Sequence, residues 1–98
     1  MPSFNEVKGE KNKMLEFNHA RTHIRLMTMK DIKNFVELLN TDGTADRYTI
    51  ENTSGSLRIN ARSLEGVIYA AIDYNDETYL VNETNDGVYP HGIDEYRI

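Results

Sequence analysis

Between Thr22 and Thr28 the chain alternates Ile24, Leu26 and Thr28 with His23, Arg25 and Met27, a period of two that predicts a half-buried first strand. The period then changes. Ile32, Phe35, Val36 and Leu39 recur at i, i+3, i+4 and i+7, the stripe of an amphipathic helix of about three turns. Thr28 and Asp31 form a capping-box-like start, the hydroxyl taking a free backbone N–H and the carboxylate sitting in the first turn. Asn40-Thr41-Asp42-Gly43-Thr44 ends the helix. Two short strands follow at Arg47 to Glu51 and Ser56 to Asn60, joined as a hairpin through Asn52-Thr53-Ser54-Gly55. Ser63 is the N-cap of a second helix that runs through Ile72 with Leu64, Val67, Ile68 and Ala71 on its stripe. Glu77 to Asn82 is the last strand, and Glu83 to Gly87 the last turn. The remainder, Val88 to Ile98, contains Pro90 and Gly92 and shows no helical stripe, so it is expected as an extended tail packed by Val88, Tyr89, Ile93 and Tyr96. The order β-α-β-β-α-β plus tail predicts an α+β fold, two helices covering one face of a four-stranded sheet.

Residues 1–13 carry few apolar side chains and many Lys, Glu and Asn, too little burial to offset the entropy of ordering. They are expected to form a flexible N-terminal arm, leaving 14–98 as a single domain. The full length of 98 residues leaves room for one modest core. The absence of cysteine excludes disulfides, thiolate zinc sites and a cysteine nucleophile, and accords with a reducing cytoplasm. No apolar run reaches the roughly 18 residues of a membrane span, and the polar start lacks the apolar stretch of a signal peptide. A cytoplasmic, non-membrane protein is therefore expected.

Charge is unevenly placed. Residues 1–40 hold seven Lys/Arg against five Asp/Glu, and residues 41–98 hold four against eleven. The larger part of the chain repels a polyanion, so nucleic acid is not an expected partner. His19 and His23 stand at i, i+4, but on a loop and a strand rather than a helix, and no HExxH glutamate follows, so no metal site is expected. No cofactor-binding or catalytic signature occurs.

The stretch Asn60-Ala61-Arg62-Ser63-Leu64-Glu65-Gly66-Val67-Ile68 resembles the regulatory-serine segment of the histidine-containing phosphocarrier protein (HPr) family of the bacterial sugar phosphotransferase system. There a strand ends in Lys/Arg-Ser and an apolar, Gly-containing run opens a short helix. Phe35-Val36 upstream and Asp76-Glu77-Thr78-Tyr79-Leu80-Val81 downstream extend the likeness over about residues 24–82. It implies an HPr-like open-faced β-sandwich. It also implies Ser63 as a candidate for regulatory phosphorylation, and Arg62, Leu64 and Ile68 as partner-binding residues, with Val67, Ala70 and Ala71 against the sheet.

The chain departs from the family where the phosphoryl group is carried. The family's Gly-x-His-x-Arg-Pro loop before the first helix is replaced by Thr28-Met29-Lys30, so no catalytic residue is expected there. The competing register sets His19-Ala20-Arg21 against the family's His-Ala-Arg-Pro, makes His19 and Arg21 the alternative catalytic pair, and turns Thr22 to Asn40 into one helix. The family's third helix is missing. The sequence reading is thus a non-catalytic HPr-like protein without cofactor that works by binding a protein partner such as a phosphotransferase-system component. The alternatives are a working phosphocarrier using His19 or His23, or a structural homo-oligomer.

Overall fold

The computed structural model of the protein describes residues 19–74 and 77–98, so the expected arm 1–13 lies outside the described residues. The elements follow the expected order: β1 (Thr22–Ile24), α1 (Met29–Asn40), β2 (Tyr48–Glu51), β3 (Arg58–Asn60), α2 (Leu64–Asp73) and β4 (Thr78–Asn82). The strands form one antiparallel sheet in the order β1-β4-β2-β3. Ile24, Ile50 and Leu80 alternate onto one face and join Phe35 and Leu39 of α1 and Val67 and Ala70 of α2 in a single buried core. Both helices therefore cover the same face. His23, Glu51, Tyr79 and Val81 point to the other.

Local chemistry explains the boundaries. Thr28 and Asp31 close the capping box at α1, the Thr28 hydroxyl accepting from the Asp31 N–H at 3.1 Å and the Asp31 carboxylate accepting from Thr28 N–H at 3.2 Å. At the tip of the β2–β3 hairpin, Gly55 takes φ 75°, a left-handed conformation that glycine adopts without strain. Within α2, a Cβ on Gly66 would stand 2.5 Å from Ile59 Cγ2 and 3.3 Å from Asn60 O, so glycine is what lets the first turn of α2 approach β3.

Two expectations are corrected. β1 is three residues long rather than running to Thr28. Its partner β4 begins at Thr78, opposite Ile24, so the ladder has no further rungs. Beyond it the Arg25 N–H donates to Tyr96 O at 2.8 Å and the Met27 N–H to Asp31 at 3.1 Å. The tail is not extended throughout either: His91–Tyr96 forms a 3₁₀ helix after Pro90. Proline before the first turn removes no needed donor. Ile93 and Tyr96, three apart, share one side of a three-residue turn and enter the core against α1, where Tyr96 meets Phe35 edge-on at 5.5 Å. Gly92 faces Leu38, its would-be Cβ 3.0 Å from Leu38 Cδ1, so a side chain here would require the leucine end to shift by a few tenths of an ångström. Tyr89 is half-buried with its hydroxyl donating to Leu80 O at 3.1 Å, whereas Val88 is exposed. After the 3₁₀ helix, Arg97 bridges Ile24 and the Ile98 N–H donates to His23 O, so the chain end lies along the outer edge of β1. No helix among the described residues is long and apolar enough to cross a membrane.

Candidate functional site

The segment 60–73 places its residues in three environments. Ser63 caps α2, its hydroxyl accepting from the Gly66 N–H at 3.1 Å. Val67 and Ala70 are fully buried, and Ala71 packs against the core from its edge. Leu64, Ile68 and Ile72, four residues apart, form an outward line with Tyr69 beside it. Leu64 is 38% exposed, Tyr69 55% and Ile72 77%, while Ile68 is half-buried with part of its side chain on the core. On the helical period the exposed carboxylate of Glu65 stands between Ile72 and Tyr69, and that of Asp73 lies beyond Tyr69, so the outward face carries these apolar side chains around one acidic group. Of the expected partner-binding residues on α2, Leu64 points outward and Ile68 is partly turned into the core. Tyr69 and Ile72 were not singled out, although the spacing from Leu64 carries the signal for Ile72.

Arg62 is drawn inward. Its guanidinium donates to the carbonyls of Leu39, Thr44 and Asp46, approaches the Asp42 carboxylate at 3.6 Å and lies over the Tyr48 ring at 4.9 Å. The α1–β2 loop thus wraps a cation supplied by the β3–α2 turn. Burial alone raises the Asp42 carboxyl pKa, but the Tyr48 hydroxyl at 2.5 Å, the Thr44 N–H and hydroxyl, and Arg62 outweigh it, and the net result is below the usual carboxylate value. Burial and the bond to Asp42 push the Tyr48 phenol up to about 12.

The N-terminus of α1 is occupied by the chain's own carboxylate. Asp31 accepts the Met27 and Thr28 N–H groups and Thr28 accepts that of Asp31. An incoming anion meets this negative charge, and the Met27, Thr28 and Asp31 N–H groups are already engaged.

His19 and Arg21 come together on the face of the sheet turned away from the helices. Both reach Glu51, which is fully buried: Arg21 Nη1 stands 2.7 Å from Glu51 Oε2, His19 Nε2 3.2 Å from both oxygens, and Arg58 Nε 3.2 Å from Oε1. Arg21 lies over the Tyr79 ring at 4.0 Å, and His23 stacks on the same ring at 4.6 Å. Thr22 to Ile24 is a strand, so the register that makes one helix of Thr22 to Asn40 is not the one adopted. Glu51 was missed in the sequence, where a polar residue closing a strand reads as solvent-facing. His91 is exposed on the 3₁₀ helix. Among the described residues no group of His, Asp and Glu is arranged to hold a metal ion.

No protein-family model, curated protein or solved structure matches the chain.

Proposed function

We propose that this chain is an HPr-like binding module of the sugar phosphotransferase system that does not carry a phosphoryl group itself and occupies phosphotransferase partners as a regulatory decoy. The observation that carries this reading is the outward apolar strip Leu64, Ile68, Tyr69 and Ile72 on α2, immediately after the Ser63 cap. Three of these large side chains stay substantially exposed on one helix, an arrangement that suits a small protein interface. The closed capping box at α1 supports the non-catalytic half of the reading, since no imidazole stands beside Thr28 in sequence and Asp31 fills the helix end. Phosphorylation of Ser63 is proposed as the control of this surface. A phosphate there sits at a helix N-terminus, where its charge is favoured, and adds charge directly beside Leu64.

The test uses the first enzyme of the system with phosphoenolpyruvate. Intact mass is expected to remain unchanged after incubation, while the chain slows phosphoryl transfer from that enzyme to an active phosphocarrier. Ile72→Asp, at a position 77% exposed, is expected to remove the inhibition and leave the fold intact. A stable gain of one phosphoryl group that disappears in His19→Ala or His23→Ala would refute the decoy and establish the phosphocarrier reading. Inhibition undiminished in Ile72→Asp would refute the α2 surface.

A further inference from the structure

The acidic part of the chain, residues 41–98, contains four arginines, and three of them, Arg47, Arg58 and Arg62, line one cavity of about 430 Å³ where β2 begins and β3 ends. The volume is that of a small-molecule site, and the half-buried Ile59 and the exposed Ala45 give it an apolar wall. The arginines are not equivalent. Arg62 is spent on the loop carbonyls, whereas the side chains of Arg47 and Arg58 remain 72% and 43% exposed. Both turn to Glu83, with Arg47 Nε at 3.7 Å and Arg58 Nη1 at 3.4 Å, and the Thr49 hydroxyl donates to the same carboxylate at 3.0 Å. Glu83 therefore acts as an internal anion, held by two guanidinium groups and a hydroxyl in the cavity wall; Arg58 also reaches Glu51 through Nε at 3.2 Å, and the other lining carboxylate, Asp46, is taken up by the Asn82 and Asn85 amides.

We infer that this cavity binds a small phosphate monoester with an apolar ring, the phosphate displacing Glu83 from Arg47 and Arg58 and the ring resting against Ile59 and Ala45. The choice of phosphate follows from the competitor. A free carboxylate repeats what Glu83 already offers from a tethered position, and so gains little. A phosphate monoester brings close to two negative charges and three acceptor oxygens, enough to engage both guanidinium groups and the Thr49 hydroxyl together. The α2 surface plays no part in this inference.

The experiment is a two-dimensional ¹H–¹⁵N titration of the full chain at low salt with phenyl phosphate, inorganic phosphate, benzoate and phenol. Phenyl phosphate is expected to shift amides of residues 45–49 and 58–62 with Kd of about 1 mM, and the other three to bind at least about fivefold more weakly. Glu83→Gln removes the internal competitor and is expected to tighten phenyl phosphate binding about threefold or more, whereas Arg47→Ala weakens it about fivefold or more and Arg97→Ala leaves it unchanged. The dispersed spectrum of each variant reports its fold. Absence of saturable shifts up to about 20 mM in both the wild type and Glu83→Gln overturns the site, as does an affinity unaltered in Arg47→Ala. Benzoate binding as tightly as phenyl phosphate overturns the phosphate selectivity, and inorganic phosphate doing so overturns the role of the apolar wall.

Discussion

Replacing Arg62 with alanine removes the cation around which the α1–β2 loop is folded. Its guanidinium holds the carbonyls of Leu39 at the end of one helix and of Thr44 and Asp46 in the loop that follows, and the side chain is only 21% exposed. A hydrogen bond to a charged group contributes about 1.5 to 3 kcal/mol, but the contacts share one side chain and the vacated carbonyls regain some water. The expected loss is therefore about 2 to 4 kcal/mol rather than the sum over bonds. For a domain of this size that corresponds to a melting point lower by roughly 10 to 25 °C. Urea denaturation followed by circular dichroism measures it as a fall in midpoint at constant slope. Arg62→Lys keeps the charge but loses the planar fork and is expected to recover less than half of the loss. A change below about 0.5 kcal/mol in Arg62→Ala would refute the anchoring role, because surface arginines commonly show effects of that size.

Gly66→Ala places a methyl group against Ile59 Cγ2, which is fixed to a β-branched carbon and cannot swing away alone, so a loss of about 1 to 3 kcal/mol is expected in the same denaturation assay. Val67→Ala is expected to cost about 1 to 3 kcal/mol through lost burial and a residual cavity, and Ile72→Ala less than about 0.5 kcal/mol, with the half-buried Ile68 between them. The Tyr48 phenol is raised from 10.0 to about 12, so the folded state keeps a proton that the unfolded chain loses first; its contribution to stability is complete below pH 10 and fades as pH rises toward 12. Stability measured across that window is expected to fall more steeply in the wild type than in Tyr48→Phe. Asp42 works in the opposite sense: its lowered pKa contributes stability above its unfolded value of 3.8 that is lost on further acidification, a loss expected to shrink in Asp42→Asn.

The sequence by itself determined what depends on neighbours a few residues apart. The capping box of Thr28 and Asp31, the helical stripe Ile32, Phe35, Val36 and Leu39, the Ser63 cap, the hairpin turn at Gly55 and the order of strands and helices were all legible, because each is settled by local hydrogen bonds and by the period of burial. Tertiary structure decided the rest. How far β1 extends depends on where β4 starts to offer partners, which is information held some fifty residues away. The tail winds into a 3₁₀ helix because Ile93 and Tyr96 enter the core, Tyr96 against Phe35, with Gly92 beside Leu38, a placement its own sequence does not announce. Arg62 looks like a surface cation until three distant carbonyls converge on it, and Glu51 looks like a solvent-facing strand end until Arg21, Arg58 and His19 gather around it. For Arg62 and Glu51 a polar group is satisfied by partners remote in sequence, and the period of apolar residues that marks the elements carries no trace of such a pairing.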